Sequence, residues 1–201
     1  MNWIALATED ELSEAIGKRL IQDMHGGFQI NLFLRKGGSG YLRGRLESFC
    51  EIARYQPVLL ITDLDRRPCP IELMSSWLGA KQRPASLIFR VAVREMESWL
   101  LADHHVICNL FQKPAMRLPD NPDEISDPKE YLVQLAKKGP RSVREAMVPE
   151  VGSTAVQGLG YNQLLLNAVV PYWNPVRAEQ RSDSLRRARL RLHEFASPER
   201  Q

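Results

Sequence analysis

Asp63 and Asp65 close the apolar run "VLLITDLD", immediately ahead of Arg66, Arg67 and Pro68. Two neighbouring carboxylates repel, and one must hold a proton unless a cation lies between them. Residues two apart on an extended chain point the same way, so the spacing predicts adjacent carboxylates. A hard divalent ion takes oxygen ligands, and Mg²⁺ keeps waters that leave room for a substrate phosphate. Mg²⁺ or Mn²⁺ held beside a phosphodiester can activate water and stabilise the leaving oxygen. Two more acidic groups occupy comparable positions. Glu9 and Asp10 follow the first apolar run, and Glu95 and Glu97 follow the fourth.

The elements that must position these groups can be read from periodicity. "NWIALA" and "PVLLITDLD" are apolar runs suited to strands covered on both faces, "FQINLFL" alternates, and "SLIFRVAV" gives a fourth strand. Between them "EDELSEAIGKRLIQDM" has helical spacing and stops at His25-Gly26-Gly27, while "KGGSGYLRGRLESFCEIARY" predicts a glycine-bearing turn and one helix. "CPIELMSSWLG" is a short helix, and "REMESWLLADHHVICNLF" is helical from about Met96. This alternation predicts an α/β fold, Rossmann-like, with four mainly parallel strands and helices on both faces. In such sheets functional groups gather beyond the carboxyl ends of the strands, where all three acidic groups fall. After Phe111 the chain turns polar and proline-rich, then helical. The expected division is a core over 1–111 and a helical C-terminal region over 112–201 packed on it.

With 201 residues, a net charge of +3 and a pI near 8.8, composition alone predicts no nucleic-acid partner. Three scattered cysteines lack zinc spacing and suit a reducing compartment. No apolar run approaches membrane-spanning length and no leader-like start is present, so a cytoplasmic protein without a membrane partner is expected. Structural uses compete with the chemical ones. Thr8-Glu9-Asp10-Glu11 fits a capping box with Thr8 as N-cap, which accounts for Glu11 and competes for Glu9. Asp63 and Asp65 could open a turn, and Glu95 and Glu97 could be solvated residues opening a helix. "RKGGSGYLRGR" lacks the Gly-Lys-Ser/Thr ending of a phosphate loop. Its Arg35, Lys36 and Arg43, with Arg66 and Arg67, are the candidate nucleic-acid contacts. In the last helix Leu185, Ala188, Leu192 and Phe195 form an apolar stripe flanked by arginines that read best as a solvated face.

Glu9 after the first strand, a glycine-bearing turn after the second and Asp-x-Asp ending the third resemble a Toprim domain. That metal-binding core is shared by topoisomerases, primases and OLD-type nucleases. "TEDELSEA" and "REMESWLLAD" are closer still to bacterial Toprim-like proteins of the kind encoded beside phage-defence ATPases. The resemblance covers the first half of the chain and departs from the family where Asp10 replaces a glycine, which leaves Glu9, Asp10 or Glu11 as the residue facing the metal. It implies a Mg²⁺- or Mn²⁺-dependent nuclease with Glu9, Asp63 and Asp65 as ligands, and Glu97 or Glu95 as a further ligand or a group orienting water. A lysine near the scissile phosphate is implied as well, with Lys129 the first candidate and Lys137 the second. A separately encoded ABC/SMC-like ATPase is the implied partner, with nucleic acid, DNA or RNA, as substrate. A non-catalytic subunit binding nucleic acid or that ATPase is the alternative, and phosphoryl transfer to a small substrate a third possibility.

Overall fold

The computed structural model describes residues 2–35 and 37–197, the Arg35 side chain excepted, so the expected contacts from Arg35 and Lys36 lie outside the described residues. Among the described residues β1 (Asn2–Thr8), β2 (Phe28–Arg35), β3 (Val58–Asp63) and β4 (Leu87–Ala92) form one sheet in the order β2-β1-β3-β4, with every neighbouring pair parallel. Parallel neighbours need crossovers. They are α1 (Glu11–Asp23), then α2 (Gly38–Gly44) with α3 (Leu46–Ile52), then α4 (Pro70–Leu78). Side chains alternate along β1. Ile4 and Leu6 therefore pack with Ile16 and Leu20 of α1, while Ala5 and Ala7 pack with Leu46 and Phe49 of α3 and Leu73 of α4. The fold is α/β with a Rossmann-like core, as the alternation predicts.

Two expected helices are each split. Arg45, at φ −105° and ψ 5°, separates α2 from α3, after a stretch in which Gly38, Gly40 and Gly44 lower helix propensity. The helix expected from Met96 ends as α5 (Met96–Leu101), and α6 (His104–Leu110) follows. Asp103 sits at the break because its buried carboxylate is engaged elsewhere. It accepts from the Arg177 guanidinium at 2.9 and 2.7 Å and from the Asn174 backbone N–H at 2.9 Å. The capping box at the start of α1 is also displaced. β1 runs through Thr8, paired with Arg35, so Asp10 caps the helix instead, with its carboxylate accepting from the Ser13 N–H at 2.8 Å.

Beyond residue 111 come α7 (Pro128–Lys137), α8 (Arg141–Met147), α9 (Tyr161–Tyr172), α10 (Pro175–Ala178) and α11 (Asp183–Ala196). Leu132, Val143, Leu165, Leu185 and Leu192 from these helices, with Trp173 at the end of α9, join the apolar cluster that covers the α1 face of the sheet. Two indole hydrogen bonds fasten the layers: Trp99 Nε1 donates to Ser184 Oγ at 2.7 Å, and Trp173 Nε1 donates to the Trp99 carbonyl at 3.0 Å. Arg189 of α11 is buried and paired with Asp23 and Glu179, so this arginine holds the fold together. Among the described residues no helix is long and apolar enough to cross a membrane.

Gly17 lets α1 pack tightly on the sheet, since a Cβ there would lie 2.7 Å from Leu6 Cδ1 and 3.4 Å from Ile61 Cδ1. Gly17→Val is expected to cost about 1–3 kcal/mol through overpacking. Urea denaturation measures this, and an unchanged midpoint would contradict so tight a contact.

Candidate functional site

Glu9 is the first residue after β1, and its Oε1 accepts from the Asp63 backbone N–H at 2.9 Å and from the Thr62 hydroxyl. This carboxylate therefore bridges from β1 to the end of β3. Burial raises its pKa, and Thr62 and Asp63 only partly offset that. Asp63 is the last residue of β3. Its Oδ1 is buried and has no hydrogen-bond partner among the described residues. Burial, then the charges of Glu97, Glu9, Asp10 and Asp65, push the Asp63 carboxyl well above the usual carboxylate range. A buried acceptor of this kind is costly unless something supplies charge or a proton.

Glu97 lies in the first turn of α5 and is 4% exposed. Its Oε1 accepts from the Tyr161 hydroxyl at 3.2 Å and lies 3.7 Å from Lys129 Nζ. Burial lifts its pKa to about 7, with Lys129 opposing and Glu95 adding to the rise. Glu95 is turned to a structural use as well. Its Oε2 accepts from the Lys129 N–H at 3.0 Å and so satisfies an amide of the first turn of α7. Burial is also the main reason its pKa is raised. Burial disfavours the charge on Lys129, but Glu97, Glu95, Asp63 and Asp10 outweigh it and hold the ammonium above its ordinary value. Lys129, rather than the exposed Lys137 at the other end of α7, meets the acids.

The structure corrects the expectation for Asp65. β3 ends at Asp63, and Asp65 is exposed with a left-handed backbone, φ 52°, so the two side chains are not successive on one strand face. The loop is pinned to the end of β4. The Asp65 N–H donates to the Arg94 carbonyl at 2.8 Å, and Arg94 Nη1 donates to the Arg67 carbonyl at 2.9 Å. Asp63 and Asp65 still line one cleft of about 190 Å³, together with Arg43 and Arg67 from the expected phosphate contacts and with Trp77. Arg66 is exposed and does not line it. The choice left open by the sequence narrows. Glu9 reaches Asp63, Asp10 is the helix cap, and Glu11 lines a different groove against α9.

The acids thus share one electrostatic neighbourhood. Among the described residues, however, no group of three His, Cys, Asp or Glu side chains is already arranged to hold an ion. The donor set fits a hard divalent ion in its chemistry: carboxylate oxygens, one of them buried and unpaired, with Asp65 exposed at the mouth. Two contributors escape a reading of spacing alone. Thr62 looks like a core strand residue. Tyr161 is delivered by close backbone packing, where Gly158 and Gly160 leave no room for a Cβ against Ala146. Tyr161→Phe is expected to cost about 1–2 kcal/mol at pH 8 by removing a donor from a buried carboxylate. Chemical denaturation checks this, with equal stability the contrary outcome. No family model matches the chain, and neither a curated protein nor a solved structure matches it. The Toprim reading therefore rests on these residues alone.

Proposed function

We propose that the protein is a Mg²⁺- or Mn²⁺-dependent phosphodiesterase acting on DNA or RNA, the effector of an anti-phage system that works with an ABC/SMC-like ATPase. The observation that carries the reading is the buried, unpartnered Asp63 Oδ1, set among carboxylates at the carboxyl edge of a parallel sheet. Asp63, with Glu9 and Asp65, would hold the ion, and Glu97 or Glu95 would add a ligand or orient water. When bound, the ion supplies charge that lowers the pKa of water and stabilises the leaving oxygen. Lys129, held by Glu97, offers its ammonium to a non-bridging phosphate oxygen, and Arg43 and Arg67 hold flanking phosphates at the cleft wall. Plasmid or single-stranded substrate should be cut only with metal, and equal cleavage by the Asp63→Ala, Asp65→Ala double variant removes the proposal.

A non-catalytic subunit is the second reading, favoured by Glu95 and Asp10 serving as helix caps. Calorimetric titration with Mn²⁺ separates the two. Heat of binding that disappears in the double variant supports the enzyme, and no binding with retained partner association supports the subunit.

A further inference from the structure

Asn2, Trp3, Phe28, Pro57 and Ala85 lie at the amino ends of the strands, and a cleft of about 860 Å³ opens there. It is at the opposite edge from the acidic site, roughly 20 Å away along six-residue strands. Phe28 and Phe195 form a tilted ring pair in it, 6.3 Å between centroids. Trp3 and Tyr55 also line the cleft and expose 43% and 89% of their surface.

Positive charge collects beside these rings. Arg191 lines the cleft, and its Nη2 donates to the carbonyl of Ala85, another lining residue, at 3.4 Å. Arg187 stands one turn earlier on α11, its carbonyl accepting from Arg90 Nη1 at 3.2 Å, and Arg83 is two residues before Ala85. Half-buried Arg90 has its pKa lowered to about 10, first by burial and then by Arg83 and Arg191, with Glu194 opposing and Arg187 adding to the fall. Asp183 pairs with Arg187 at 2.6 Å and Glu194 with Arg191 at 3.6 Å. Among the described residues Arg83 and Arg90 have no carboxylate within ion-pair distance. The patch keeps a cationic excess that its own acids do not cancel.

Exposed rings singly mean little. Rings at the rim of a cleft beside uncancelled arginines match a ligand with alternating phosphates and accessible π-faces. A duplex hides those faces in its stack, and a single strand presents them. We propose that this cleft binds single-stranded nucleic acid, stacking bases on Trp3 and Tyr55 and holding phosphates with Arg83, Arg187 and Arg191. The site needs no metal and is independent of the hydrolytic reading.

The test uses the full chain, a fluorescent oligothymidylate and EDTA, with anisotropy followed across a salt series. Trp3→Ala with Tyr55→Ala should weaken binding roughly tenfold or more. Arg83→Glu with Arg187→Glu should weaken it further and reduce the logarithmic salt slope by about 1.4, two single-strand phosphate contacts. All four side chains are exposed, and a far-UV circular dichroism spectrum matching the parent's shows that each double variant is folded, with Arg187→Glu losing a surface pair to Asp183. Wild-type affinity in either double variant, or tighter binding of a duplex of equal length, overturns the proposal. Because nothing is cleaved in EDTA, a failure here leaves the metal-dependent reading standing, and a failure of cleavage leaves this one standing.

Discussion

Asp63→Asn is expected to abolish metal-dependent cleavage while raising the melting temperature of the metal-free protein. Both effects come from one oxygen. Oδ1 is buried without a hydrogen-bond partner among the described residues, and Glu97, Glu9, Asp10 and Asp65 all oppose charge on it. Asparagine has nearly the same shape and no ionised form, so the repulsion ends. If neutralisation contributes about 1 kcal/mol, the midpoint of a chain of this size rises roughly 2–4 °C. Loss of a principal ligand should lower turnover by about 10³-fold, the equivalent of roughly 4 kcal/mol in barrier height. Stability gained where activity is lost is the mark of a site strained for function. A variant that melts lower and still cuts would mean that Asp63 is structural.

The second large effect is a dependence of stability on pH with an unusual sign. The folded pKa of Glu97 is about 7 against an ordinary value of 4.5. The folded protein therefore binds more protons than the unfolded chain between those values, and stability falls as pH rises. The contribution is fully present below about pH 4.5 and lost above about pH 7. For Glu97 the difference corresponds to about 3 kcal/mol. Asp63 and Glu9, also raised chiefly by burial, act in the same direction. Glu97→Gln should flatten the profile across pH 5–7. Added Mn²⁺ should reverse the slope of the wild type, because metal ligands must be deprotonated. Urea denaturation at stepped pH with chelator measures this, and metal-free stability rising over the interval is the opposing result.

The sheet was legible because its strands are governed by local pattern. The near-continuous apolar run ending at Asp63 needs two covering layers, and α1 and α3 supply them. The helix break at Asp103 was not legible, since its cause lies far along the chain. Asp103 leaves the helical conformation while bonded to Arg177, 74 residues away, and no window around "LLADHH" contains that partner. Thr8 makes a plausible N-cap in the sequence, but β2 claims its backbone, which moves the cap to Asp10. The acidic groups converge because strand ends converge in a parallel sheet, a rule that needs only strand order. Side-chain direction needs more. Asp65 leaves the strand through a left-handed turn, and Tyr161 reaches Glu97 from the far half of the chain. Lys129 was placed by resemblance, and its meeting with Glu97 and Glu95 supplies a physical reason for a lysine at that position.

The most direct measurement is anomalous diffraction from crystals of the protein grown with Mn²⁺. A peak within coordination distance of Asp63 Oδ1, shared with Glu9 or Asp65, is the predicted result. A fully ordered site with no manganese beside Asp63, at metal concentrations that saturate any binding seen in solution, would contradict the claim that these carboxylates are gathered for an ion.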